Sequence, residues 1–492
     1  MKTIIKYASL IVIGLIMMSC NDFLTKNPES DYSVNISYKT QSDFVYAINA
    51  VYAPMQNMYG DNWAWLRVMI SRSDETRPTG YEDGASTFTD SSAGVRKNEV
   101  WQYLWKMINR ANTILDKIDG VTFTDTNMQS YIKGEAYGLR GWAYWMLAWE
   151  FGGMPLINTS TLSVDETKAI ARSTQEETFA FAESDYKSAI GLLPDSWSGN
   201  YVGCMTKYAA EGLLARLYMF ESAFSKAEPY LKEIIDSGKY KMATNYVDCF
   251  RDGCDNDPSK DRVFEVQFNG GLVGEGNSIG ANVLPEGYKG ALTPASNGSS
   301  ASMRVSDDFK AAYEEGDIRK SVSIVDSVII GGVVSNETFI LKYNHYDYTP
   351  QSGSDWANNM PILRYTDVLM MYAECLNEEG YVANGEAFSI LNQVRARAGL
   401  AAKTASELPD HDSFLKALQQ ERRVEFAFEG LRWPDLIRWG IAQTTMNEHF
   451  QGRNNGNGRY QMDGDYRKIF AIPFEEITRY GDDTKMWQNP NY

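Results

Sequence analysis

The sequence predicts a mostly α-helical protein, a superhelix of paired helices carrying one inserted lobe of irregular loops and a β-hairpin. Three observations lead there. The stretch Gly134–Ile157 (GEAYGLRGWAYWMLAWEFGGMPLI) has no charge between Arg140 and Glu150, and its aromatic and aliphatic residues point all round a helix. A helix apolar on every side is buried on every side. Two helix-turn-helix segments, Thr206–Gly238 and Tyr365–Leu400, have the length of a tetratricopeptide unit, with small contact residues such as Ala209, Ala215 and Ala227. Between them, residues 240–363 abandon helical periodicity for β-branched runs and Gly/Ser-rich loops.

In chain order, Lys2 and Lys6 precede an apolar run from Ala8 to Met18 and then Ser19–Cys20. A basic start, a short apolar run and a small residue before a cysteine describe a secretion signal over residues 1–19, not a membrane span. The cysteine directly after the small residue resembles a bacterial lipobox, in which Cys20 is acylated and becomes the new N-terminus. Residues 20–38 then read as an acylated, polar tether. Thr40–Tyr59 has Phe44, Ile48, Val51 and Tyr52 at helical spacing, with Thr40 or Ser42 as cap. Asp61–Asn98 is expected to be loop, and a loop that long inside a domain is usually functional.

Glu99–Ile118 and Tyr131–Phe151 are predicted as an antiparallel helix pair. Gly134, Gly138 and Gly141 strip one face of the second to backbone so that another helix can lie close. Gly152–Gly153 supplies a left-handed stop and Pro155 forbids continuation. Helices follow over Thr174–Leu193, ending at Pro194, and over Thr206–Phe220 and Lys226–Asp236. In the lobe, Arg262–Phe268 alternates as a strand, while Ser321–Ile330 and Val333–Tyr343 form a hairpin about Gly331–Gly332. The expected organisation is one domain over 39–492, with scaffold at 39–239 and 364–492 and lobe at 240–363.

Hydrophobic content of 43% and charged content of 23% describe an ordinary globular protein, and the net charge of −17 argues against a nucleic-acid partner. Beyond Cys20 the cysteines are Cys204, Cys249, Cys254 and Cys375. Cys249 and Cys254 bracket a turn where a local bridge would fit, whereas Cys204 and Cys375 read as buried thiols. No Cys/His cluster has zinc spacing, and the acidic run Asp248–Asp261 lacks an EF-hand pattern and reads as a solvated turn. No metal, cofactor or catalytic residue is expected. Glu421, Arg422, Glu425 and Glu429 share one predicted helix, with Arg432 and Arg438 just beyond. A metal site or carboxylate pair is the sharper reading of that cluster; a partly buried ion-pair network locking the last helices is the favoured one.

Several of these stretches together resemble the SusD/RagB family, the surface glycan-binding lipoproteins of Bacteroidota. They run in order along the mature chain: CNDFL at 20–24, WQYLWKMINRANTILDKI, GEAYGLRGWAYWMLAWEFGGMPLI, MTKYAAEGLLARLYMF, ILRYTDVLMMYAECLNE, ERRVEFAFEGLRWPDLIRWG, and IFAIPFEEI with the terminal WQNPNY. The Glu421–Gly440 stretch is the most specific. The resemblance implies a lipid-anchored protein on the outer membrane, facing outward. It also implies that its helices pack on a SusC-like TonB-dependent transporter and that it passes captured oligosaccharide or polysaccharide to that pore without catalysis.

A sugar ring offers apolar C–H faces to exposed aromatics and edge hydroxyls to polar groups. The helix tryptophans 101, 105, 142, 145 and 149 obey helical spacing and are set aside as core. Loop aromatics are the glycan-binding candidates: Trp63, Trp65, Tyr81, Tyr288, Tyr346 and Trp356, with Tyr348 alongside and Arg72, Asp74 and Asn297 as hydroxyl partners. Two other readings compete: an all-helical glycoside hydrolase using two carboxylates, and a peptide- or protein-binding helical-repeat scaffold. The chain has only three histidines and no GxSxG, HExxH or P-loop motif.

Overall fold

The structure, a computed structural model, describes residues 38–61, 64–77, 84–285, 303–330, 332–345, 350–451 and 460–492. Its first helix, α1 (Gln41–Gln56), opens with a capping box between Thr40 and Asp43 and buries Phe44, Ile48 and Val51. A short helix α2 (Ala64–Ser71) follows, then α3 (Val95–Lys117) and α4 (Thr126–Phe151). Next come α5 (Gln175–Ile190), α6 (Lys207–Phe220) and α7 (Phe224–Asp236), the first two capped by Thr174 and Thr206. Beyond the lobe lie α8 (Tyr365–Glu379), α9 (Glu386–Arg397), α10 (His411–Glu425), α11 (Arg432–Arg438), α12 (Ala442–Gln451) and α13 (Phe474–Tyr480).

Packing runs along the chain: α3 on α4, α4 on α5, α5 on α6, α6 on α7, α7 on α8, and α8 on both α9 and α10. That is the predicted scaffold of stacked pairs, with α4 buried throughout its second half. The glycine stripe works as close-approach surface. A Cβ on Gly134 would stand 3.0 Å from Leu193, and one on Gly141 would stand 3.1 Å from the Ala182 carbonyl oxygen of α5. Arg140 then clamps Asp185 across the same interface with two hydrogen bonds of 2.7 Å.

The end of α4 is closed from afar. Gly152 turns at φ 87, and the Arg172 guanidinium donates to the carbonyls of Phe151, Gly153 and Trp487 and to Asn489 Oδ1. Asn489 in turn donates to the Phe151 and Phe470 carbonyls. A cation on carbonyls that a helix end leaves unpaired suits the negative pole of its dipole. Burial without a carboxylate partner lowers the Arg172 pKa to about 10.

In the lobe, β1 (Arg262–Val266) pairs antiparallel with β4 (Met360–Arg364), and β2 (Ile324–Ile330) pairs with β3 (Val333–Ile340). The hairpin and β1 match expectation; β4 is a strand that the sequence did not single out. All five residues of each of β1 and β4 are buried, so no alternation marks β4 as a strand. The pair closes the lobe on itself, and β4 runs directly into α8.

Three further expectations need correction. Asp61–Asn98 is not all loop: α2 is eight residues long, too short for its periodicity to stand out among Trp, Leu, Val, Met and Ile. The run Asp248–Asp261 is a solvated turn only in its middle: residues 251–260 are exposed or half-buried, whereas Asp248 and Asp261 at its ends are buried, Asp261 against Arg364. Cys249 and Cys254 are free thiols, with Cys249 sealed against Asp261 and Arg364.

Candidate functional site

A lattice of buried charge welds the lobe to the scaffold. Arg364, the last residue of β4, binds both oxygens of Glu429 at 2.9 Å, Glu425 at 2.8 Å and Asp261 at 2.6 Å. Arg319 joins Asp317 to Glu421 and Glu425, Arg397 reaches Glu425, and Lys342 meets Glu429 at 2.7 Å. Burial alone would raise the Glu425 carboxyl, yet arginines 397, 364 and 319 around it hold it well below the usual range. The favoured reading of the Glu421–Arg438 cluster, an ion-pair network, is what the fold contains. Among the described residues no group of His, Cys, Asp and Glu is arranged to hold a metal.

The turn leaving α10 is the hub of a second arrangement. Phe428 (φ 63) and Gly430 (φ 77) take left-handed backbone. The Phe428 N–H donates to Glu75 at 2.7 Å, its carbonyl accepts from the Tyr343 hydroxyl at 2.7 Å, and Arg432 holds Asp74 at 2.8 Å. Burial pushes the Glu75 carboxyl up to about 7, against the pull of that N–H. Gly430 lies against Trp65, where a Cβ would stand 2.8 Å from the ring.

These residues lead to the flanks of segments 62–63, 78–83, 286–302 and 346–349, which in sequence carry Trp63, Tyr81, Tyr288 and Tyr346. Thr76 pairs with Val305, the Arg77 N–H donates to the Arg304 carbonyl at 2.8 Å, and Arg304 pairs with Phe339; this joins the flanks of 78–83 and 286–302. Ser306 donates to the Asp74 carbonyl at 2.7 Å. Asn277 pairs with Trp356, and Ser278 donates to the Gly60 carbonyl at 2.7 Å, so the approach to 286–302, the flank of 346–349 and the flank of 62–63 are likewise joined. The described flanks of four sequence-distant segments, 62–63, 78–83, 286–302 and 346–349, thus form one connected platform.

The candidates themselves divide. Trp63, Tyr81, Tyr288 and Tyr346, with Tyr348 and Asn297, lie outside the described residues, as does Cys20. Trp65 and Trp356 were expected on an open rim and are instead core, 4% and 0% exposed. Trp65 donates to Glu150 at 2.5 Å, and Trp356 lies flat on Gly280. Arg72 and Asp74 are also corrected. Arg72 is sealed between the Phe88 and Phe470 rings and pairs with Asp90 at 2.9 Å, and Asp74 is spent on Arg432 and Arg423. The helix tryptophans 101, 142, 145 and 149 are buried as expected. The stem residues Glu75, Asn277, Ser278, Ser306 and Phe428 were not singled out. Only the turn-forming Gly430, inside the most specific motif, hinted at them.

Residues 22–219 match a family profile described as starch-binding and associating with the outer membrane, and residues 330–492 match the profile of the SusD family. The chain belongs to the SusD family. It is 27% identical to the SusD-like protein P25 of Formosa agariphila, over 86% of this chain and 87% of that one. Its fold is that of the surface glycan-binding protein A from Bacteroides fluxus, with a TM-score of 0.78 at 23% identity, covering 92% of this chain and all of the other. The same protein from Bacteroides thetaiotaomicron, solved with laminarihexaose, gives 0.77 at 20% identity over 92% of this chain and 100% of that one. This SusD-family scaffold is therefore of the tetratricopeptide-like helical kind. Among its described residues no helix is long and apolar enough to cross a membrane.

Proposed function

We propose that this SusD-family chain is a non-catalytic glycan-capture lipoprotein of the outer membrane, anchored through Cys20, that passes oligosaccharide or polysaccharide to a SusC-like TonB-dependent transporter. The observation that carries the reading is the convergence of stems: the flanks of loops 62–63, 78–83, 286–302 and 346–349 are hydrogen-bonded into one platform. In this reading Trp63, Tyr81, Tyr288 and Tyr346 are the ring platforms, and the rigid flanks of their segments lower the ordering cost of binding. Trp65 and Trp356 are buried posts within the described platform. The B. thetaiotaomicron neighbour in complex with laminarihexaose supports a neutral glucan as one class to try first.

A binding role rather than a hydrolytic one is favoured by what the buried carboxylates do. Glu421, Glu425, Glu429 and Asp261 are neutralised by arginine and lysine, which leaves no carboxyl of that cluster to protonate a leaving group. Affinity electrophoresis against a polysaccharide panel tests the proposal. Retardation with the polysaccharide left intact supports it, and release of shorter products by the purified protein rejects it.

A further inference from the structure

Beside the loop platform lies a cleft that the proposed rim does not use. It runs between α1, the Asn200–Cys204 turn and β1 with the segment after it, and its volume is about 370 Å³, inside the ~300–1,000 Å³ of small-ligand sites. Its wall is a row of carboxamides. Gln56 Nε2 donates to the Gln267 carbonyl at 2.9 Å and to Glu275 at 3.0 Å, and Gln267 Oε1 accepts from Asn256 at 2.8 Å and Asn359 at 2.9 Å. Those bonds fix the inner wall in one geometry. Asn49 and Asn200 stand exposed at the mouth, each with a donor pair and an acceptor to offer. Tyr52 forms part of the floor, its hydroxyl already engaged by Glu135 and the Met205 N–H.

Charge narrows the ligand. The charged lining residues among those described are Glu265 and Glu275, both acidic, and Glu265 is already paired with Arg262. A sulfated or uronate unit would meet repulsion there and find no cation, whereas hydroxyl groups match the amides. The cleft is also continuous with the loop platform, because the segment that supplies Gln267 and Glu275 continues into Asn277 and Ser278, which hold Trp356 and Gly60.

We infer that this cleft is a second, hydroxyl-reading subsite for neutral sugar units of the chain held by the rim, and that it extends the length of glycan recognised. The inference rests on the glycan-capture reading. Ala53, exposed on α1 at the cleft, gives a way to fill it without touching the rim. Calorimetry compares the soluble chain from residue 21 with its A53W variant. The probes are laminari-, manno-, xylo- and malto-oligosaccharide ladders from disaccharide to octasaccharide, and sulfated and uronate ladders. Losing one or two charge-neutral hydrogen bonds corresponds to about tenfold in affinity. The expected result is that A53W binds the shortest ligands as the parent does and falls about tenfold behind on the longest neutral ones. Equal affinities at every length, or tighter binding of the anionic ladders that A53W abolishes, overturns the subsite while leaving glycan capture standing. Absence of binding to any ladder by the parent chain overturns both. Should A53W melt early, the N49A/N200A double variant at the exposed mouth takes its place, with the same expected and overturning results.

Discussion

Arg364 holds both carboxylate oxygens of Glu429 at 2.9 Å, and so ties the last residue of β4 to the turn that follows α10. The lobe and the scaffold meet at that pair, and Glu425 and Asp261 complete the shell around the guanidinium. Such a lattice is costly to assemble from water and much costlier to break, since each lost member leaves charges buried without a partner.

Removing the centre should therefore destabilise the whole chain. Arg364→Ala is expected to cost about 3–5 kcal/mol, because Glu429, Glu425 and Asp261 remain buried facing one another. Urea unfolding of the variant beside the parent measures it, and a loss under ~1 kcal/mol would show the lattice to be of little consequence.

A pH profile separates this lattice from a second set of carboxyls. Burial raises Glu150 to about 8, and Glu75 and Glu135 to about 7, from an ordinary 4.5. A folded state that keeps protons which the unfolded chain releases is at full strength below the unfolded pKa. It weakens as pH climbs from about 4.5 and levels off once the folded-state values near 8 are passed. Glu150→Gln keeps an acceptor for the Trp65 indole and removes one titration, so its stability should fall less than the parent's between about pH 5 and 8. Parallel melting curves across that range would contradict the assignment.

At the other end of α4, Asn489→Ala should cost ~1–3 kcal/mol, since Arg172 loses its amide partner and the Phe151 and Phe470 carbonyls lose a donor. Chemical denaturation reads this directly. A neutral outcome would mean that water replaces the amide without loss.

The six aromatic candidates should sort into core and ligand-binding residues. Trp65→Ala and Trp356→Ala are expected to destabilise the fold by about 3–5 kcal/mol, as large deletions from a packed core do. Trp63→Ala, Tyr81→Ala, Tyr288→Ala and Tyr346→Ala should leave the melting temperature within a few degrees and weaken glycan binding, ~1–3 kcal/mol for each ring that stacks on a sugar. Melting and affinity that move together for all six would erase the distinction between posts and rim.

The scaffold was legible in the sequence because its signals are local. Thr40, one of the two caps its sequence offered, caps the first helix, and Gly134 and Gly141 lie against a neighbour as their spacing required. The site was legible only in part. Trp65 and Trp356 stand in stretches that look like loop, and a single aromatic there gives no sign of whether Gly430 or Gly280 will press against it from across the chain. Likewise, nothing near Arg364 announces that its partners stand at Asp261, Glu425 and Glu429. The ion-pair network could be expected from the charges on α10, but the lobe's contribution to it is set by tertiary contacts alone.

The most direct test of glycan capture on this platform is affinity electrophoresis of the acyl-free chain in gels containing laminarin, mannan, xylan or starch. Beside it runs the variant with Trp63, Tyr81, Tyr288 and Tyr346 all changed to Ala. The parent should be retarded by at least one neutral polysaccharide and leave it uncut, while the variant migrates freely with an unchanged melting temperature. Equal retardation of the two proteins, or shortening of the polysaccharide by the parent, would contradict it.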